Sequence, residues 1–341
     1  MAYDVLNEAY ERFRATGPEW GEDQLTNHGP MAVEVLVRRG RDDEVEGWVD
    51  AYVRRLDEMP PPSDPITAEG WREALGDGRR VGDWSAYFER QVAEAPWRDV
   101  LVTWWPRLLP GVVAGATHGV IRTGHAVRAL QGGDESPQAI TELAHGLAFW
   151  AARSHVVPGA VEAAGTLPAA EALDAVPRIA EQRGNVANRF GQLTGTPGWQ
   201  ASLAALRAPA TGADTATILA DLVAAATARY LTTGHASPVL LVHTATAPNA
   251  VLNALPALPE ALWAPSLSAV WSATAAITAA YAPPAVDVDV APDGDAQAAL
   301  DRAVAHGDEH VIKFTDTAVD VHERTGDPRA LAAAAKIATL L

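Results

Sequence analysis

The feature that most constrains the fold is a helical repeat of apolar positions through nearly the whole chain. It begins with Tyr3, Leu6, Tyr10 and Phe13, and sustained period-two alternation is almost absent. Such a chain reads as all-α: a single large multi-helix domain over residues 1–341, with a linker-like segment at 282–295. An alanine-rich middle third favours helix without implying chemistry. Pro30 suits the first turn of a helix running to Gly40, and Asp42 and Asp43 are placed to cap the next, which carries Trp48, Tyr52 and Leu56 inward. The stretch "MPPPSDP" then forces a loop. Further helices are expected over "WSAYFERQVAEA", "WRDVLVTWW", "GVVAGATHGVIRTGHAVRALQ", "AITELAHGLAFWAARSH" and "DTATILADLVAAATARYL". More follow at "PVLLVHTA", interrupted near Pro248, at "LWAPSLSAVWSATAAITAAY", and in one long stretch from Asp295 to about Arg324. Gly111, Gly115 and Gly119 form a small-residue ridge suited to close helix packing.

Several function classes fall away on composition. A formal charge of −17 opposes nucleic acid and anionic membrane surfaces, because binding phosphates needs a concentrated basic face. Zero cysteines remove disulfides, thiolate nucleophiles, cysteine-ligated zinc and iron–sulfur clusters. The N-terminal "MAYDVLNEAYERFRATG" is an acidic amphipathic pattern, not a secretory signal, and the apolar stretches are interrupted too early to span a bilayer. A soluble, cytoplasmic protein is expected. No GxxxxGK[ST] or GxGxxG motif supports a bound nucleotide. The GxSxG elbow is absent, and "HERTG" fails the HExxH pattern at Gly326. Asp287, Asp289, Asp293 and Asp295 lack the order of an EF-hand and read as a solvated loop capping the final helix.

The ten histidines carry the remaining signal, because several lie in apolar segments. His28, in "NHGPM", is either a capping residue at a helix entrance or a functional one. His118, Arg122 and His125 are spaced four and three apart, so one helical face carries two imidazoles and a guanidinium. Buried and unpaired, those groups are costly; they are either satisfied core residues or parts of a site. His243 follows four aliphatic residues. In "HGDEHVIKF", His306, His310, Lys313 and, beyond it, Thr317 lie along one helical stripe, with His306 the more solvated.

Histidines on separate helices in a cysteine-free chain point to a metal that accepts imidazole, and to iron if dioxygen is used. Lys313 is one of only two lysines, the other being Lys336, against 24 arginines. An ammonium has no lone pair, but a buried lysine can be neutral and take up carbon dioxide as a carbamate. Trp104, Trp105 and Trp150 serve either packing or a flat aromatic pocket.

The motifs "NHGPM", "PWRDVLVTWWPRLLPG", "ATHGVIRTGHAVRAL", "VHTATAPNAVLNALPAL" and "DEHVIKF", in this order, resemble the questin oxidase-like family over nearly the whole chain. That resemblance implies oxidative ring opening of anthraquinone-type polyketides by a non-haem iron oxygenase, with an aromatic small molecule and dioxygen as partners. It implies His28, His118, His243 and His310 as ligands to Fe(II), with Lys313, as a carbamate, a fifth. His125 then belongs behind the ligands or in the pocket, and Arg122 contacts an anion or substrate oxygen. The chain is shorter than fungal members, which implies a different substrate pocket. Two other readings stand beside it: an NADPH-dependent Baeyer–Villiger-type monooxygenase, and a non-catalytic helical small-molecule-binding protein.

Overall fold

Helical patterning becomes helix almost throughout. The computed structural model describes residues 2–288 and 294–341, and apart from one antiparallel pair of two-residue strands, Glu19–Trp20 and Leu25–Thr26, its regular structure is helical. The chain divides into two compact units, Met1–His155 with Pro256–Pro259 and Val156–Leu255 with Glu260–Leu341. Among the described residues no helix is long and apolar enough to cross a membrane.

Unit 1 is built from α1 (Ala2–Phe13), α2 (Gly29–Arg38), α3 (Asp42–Tyr52), α4 (Val81–Glu94), α5 (Trp97–Leu108), α6 (His118–Gln131) and α7 (Pro137–Ala152). Helix α7 lies against both α4 and α6. The approach to α6 is close because two glycines remove side chains: a Cβ on Gly119 would stand 2.6 Å from Trp150 Cα, and one on Gly146 3.1 Å from Thr123 Cα. Trp104 is packed edge-on among Trp71, Trp84, Tyr87 and Phe88, while Trp105 meets Trp150 at 5.2 Å. These tryptophans are therefore core rather than pocket walls.

Helix α6 starts at His118, seven residues later than expected from Gly111, because Gly115, Ala116 and Thr117 have φ of 52°, 55° and 74°. Three consecutive left-handed residues cannot continue a right-handed helix, and for β-branched Thr117 the conformation is strained. Of the glycine ridge, Gly119 serves helix packing and Gly111 lies against Ser154, whereas Gly115 belongs to the left-handed turn. In α3, Arg41 holds the N-cap position, with Asp42 and Asp43 in the first turn, where negative charge is favourable. Val45, Val49 and Tyr52 face inward, while Trp48 is half-buried and stacked on Tyr52, and Leu56 is half-buried beyond the helix.

Unit 2 contains α8 (Gly212–Thr233), α9 (His243–Ala254), α10 (Trp263–Tyr281), α11 (Ala296–His306), α12 (Glu309–Thr325) and α13 (Pro328–Leu340). Helix α8 packs against α9, α10, α12 and α13. The interruption expected near Pro248 comes instead before His243, and Pro248 lies inside α9. Proline there leaves the Thr244 carbonyl without its usual amide donor; the Thr274 hydroxyl of α10 donates to it at 3.4 Å. The single final helix is also corrected. Gly307, at φ +78°, ends α11, and Asp308 Oδ1 accepts from the amides of His310 and Val311 at 2.8 and 3.3 Å to open α12. His306 thus ends one helix and leaves the stripe of His310, Lys313 and Thr317. Asp295 caps α11 by accepting from the Ala298 amide at 2.9 Å and Asp287 is exposed, while Asp289 and Asp293 lie outside the described residues.

The Gly119 contact has a measurable consequence. Gly119→Ala places a methyl group against Trp150 backbone and is expected to destabilise the protein by about 1–3 kcal/mol in urea denaturation. Wild-type stability in that variant would contradict the close α6–α7 approach.

Candidate metal centre

Each of the four histidines singled out from the sequence opens a helix. His28 holds the N-cap position of α2, His118 and His243 are the first residues of α6 and α9, and His310 is the second of α12. Helical Cα–Cβ bonds tilt toward the N-terminus, so side chains in a first turn project beyond the helix end.

In unit 1, His28 and His118 are buried and their Nε2 atoms are 2.7 Å apart. The left-handed turn brings the Gly115 carbonyl onto His118 Nδ1, which donates to it, with the Thr26 hydroxyl 3.3 Å from the same nitrogen. Donation through Nδ1 leaves the His118 Nε2 lone pair directed at His28. The His28 backbone is fixed as well: its amide donates to Tyr52 Oη at 2.7 Å, and the next amide, of Gly29, donates to Asn27 Oδ1 at 2.9 Å. The pair fits a metal ion, since two nitrogens bound at right angles to one ion at about 2.1 Å stand about 3 Å apart.

In unit 2, His243 and His310 are buried, with ring centres 6.3 Å apart. Two imidazoles on one ion have centres separated by no more than about 6.4 Å. His243 Nδ1 donates to the Leu240 carbonyl at 3.2 Å, so its Nε2 is also left as a lone pair. Burial, then the Lys313 and His310 charges beside it, push the His243 pKa down to about 3. His310 Nδ1 lies 3.3 Å from Asp308 Oδ1. A carboxylate behind a histidine orients the ring and raises its basicity toward a metal. Lys313 is 3% exposed, and burial pushes its amine down to about 7, with Glu309 and Asp308 acting in the opposite direction.

Arg122 and His125 have different surroundings. Arg122 donates through Nε and Nη2 to Glu142 Oε1 and Oε2 at 2.6 and 2.7 Å, a buried bidentate pair. Only Nη1, which has no hydrogen-bond partner among the described residues, remains for an outside oxygen. His125 Nδ1 donates to Glu34 Oε2 at 2.7 Å, and Arg128 donates to both oxygens of the same carboxylate. Burial acts to raise the Glu34 pKa, but Arg128 and His125 outweigh it and hold the carboxyl down to about 2. The partners Glu34 and Glu142 escaped the sequence reading. Each is the lone acid in its apolar segment, "MAVEVLV" and "AITELAHGLAFW", and a buried acid in such a setting must be paired.

The pH dependence of Lys313 has a definite sign. With its folded value near 7 and its ordinary value at 10.5, the unfolded chain binds the extra proton between them, so the lysine penalty is full below about 7 and absent above 10.5. In metal-free, carbon-dioxide-free buffer, Lys313→Met is expected to raise the denaturation midpoint at pH 7, with the gain shrinking toward pH 10. A gain independent of pH would contradict the burial of a titrating amine.

The family model described as Questin oxidase-like matches residues 42–317, a span that includes His118, His243, His310 and Lys313 and leaves His28 outside. No curated protein matches the chain.

Proposed function

The chain belongs to the questin oxidase-like family, a family of oxidoreductases, and on that premise we propose that it is a non-haem iron-dependent oxygenase. Its substrate is an anthraquinone- or hydroquinone-type aromatic polyketide, and the reaction is oxidative carbon–carbon ring cleavage with dioxygen. His28, His118, His243 and His310 hold Fe(II). The observation that carries this reading is a motif present in both units: His118 and His243 each donate Nδ1–H to the carbonyl three residues before them, which leaves Nε2 as the ligand atom.

Bound iron supplies the one-electron chemistry through which dioxygen reacts with an electron-rich ring. The chain's own groups do the rest. The Lys313 amine adds to carbon dioxide, forming a nitrogen–carbon bond and releasing one proton, and the carbamate oxygens complete the ligand set. Arg122 holds a substrate oxygen through Nη1, while its other nitrogens stay on Glu142.

Protein purified without chelator and loaded anaerobically is expected to hold one equivalent of iron, and His118→Ala or His243→Ala to lose it. Far less than one equivalent in the wild type overturns the reading. Lys313→Arg keeps the charge but cannot form the carbamate; it is expected to abolish iron binding or turnover, and unchanged affinity and turnover reject the lysine's role. A panel of anthraquinones and hydroquinones under labelled dioxygen tests the reaction, with label expected in a ring-opened product.

A further inference from the structure

Glu34 is a buried carboxylate, 3% exposed, on a helix whose neighbouring residues Met31, Ala32, Val33, Val35 and Leu36 are all buried and apolar. An apolar side chain at this position would avoid the desolvation that an ion pair must offset, so stability alone is a weak reason for an acid here. Its contacts indicate another role. The carboxylate accepts from His125 Nδ1 at 2.7 Å, from Arg128 Nε at 2.9 Å and from Arg128 Nη2, all on α6.

These bonds join α2 and α6 at a second level. The first is the contact between His28 Nε2 and His118 Nε2 at 2.7 Å. From His28 to Glu34 is six residues and from His118 to His125 seven, which at helical rise is about 9 and about 10.5 Å. The matched separations mean that the two helices run in the same direction, tied at their starts by the imidazoles and nearly two turns later by Glu34. A planar guanidinium fork and an imidazole on one carboxylate restrict both sliding and rotation of α6 against α2. With that tie released, the starts of the helices are free to separate by tenths of an ångström, enough to spoil a shared metal.

We infer that Glu34 is a positioning residue: through His125 and Arg128 it sets α6 against α2 so that His28 and His118 face each other at ligand spacing. The inference rests on the iron-site reading for its purpose and on the unit 1 contacts alone for its geometry. The test has two arms, on metal-free protein and with Co(II) as the probe.

In metal-free protein labelled with ¹⁵N in its histidine rings, long-range proton–nitrogen spectra report the His28–His118 contact. Glu34→Gln keeps the shape but not the charge. It is expected to retain wild-type helicity by circular dichroism, to change the His28 and His118 ring resonances, to alter the visible Co(II) spectrum and to weaken Co(II) affinity by about tenfold or more. Glu34→Asp, which keeps the charge on a shorter stem, is expected to restore part of the affinity. A folded Glu34→Gln protein with unchanged histidine resonances overturns the inference, as does one with unchanged Co(II) affinity. Should Glu34→Gln not fold, Glu34→Asp is judged by the same two measurements against the wild type. If the wild type itself takes up neither Co(II) nor iron, the iron reading fails, and the histidine resonances of the metal-free proteins still decide the role of Glu34.

Discussion

A helix that carries Arg122 into a buried layer, with His118, His125 and Arg128 beside it, exists only because its polar groups meet partners. Unit 1 is arranged around that requirement. Glu142 on α7 takes the Arg122 fork and Glu34 on α2 takes His125 and Arg128, so α6 is tied by charge on two sides. Glycines at 119 and 146 let α6 and α7 approach closely enough for the Arg122–Glu142 bonds to form at 2.6 and 2.7 Å. Removing Glu142 leaves the buried Arg122 guanidinium without its carboxylate, which costs far more than the pair contributes while intact.

The same helix shows how local strain is used. The left-handed run of Gly115, Ala116 and Thr117 is unfavourable in isolation, yet it turns the Gly115 carbonyl back onto His118 Nδ1. A carbonyl there settles the imidazole tautomer without a further side chain. In unit 2 the short turn before α9 does similar work for His243 through the Leu240 carbonyl, with no positive φ at the residues involved.

Much of the fold was legible because amphipathic period is a local property. Helix starts and stops were legible only where a residue type dictates them. Pro30 and Gly40 bracket α2 closely, but the left-handed conformation of Ala116 and Thr117 has no signature in residue type, so apolar patterning alone places the start of α6 too early. Gly307 followed by Asp308 is a recognisable stop and start, yet continuous patterning from Asp295 to Arg324 hid it. Pro248 shows the opposite error: proline reads as a break until a neighbouring helix supplies a hydroxyl for the freed carbonyl. For the candidate centre, residue types and spacing singled out the histidines and Lys313. Their partners Glu34 and Glu142 are set by tertiary contacts that no spacing along the chain encodes.

The position of the histidines at helix starts has a consequence for the scaffold's tolerance of change. A helix held through its first residue behaves as a rod clamped at one end. Turns can be added to or removed from its far end, and the loop beyond it rebuilt, without moving the imidazole. Chains of quite different length can therefore carry the same histidines in the same posture, and variation in size accumulates at the free ends of the rods.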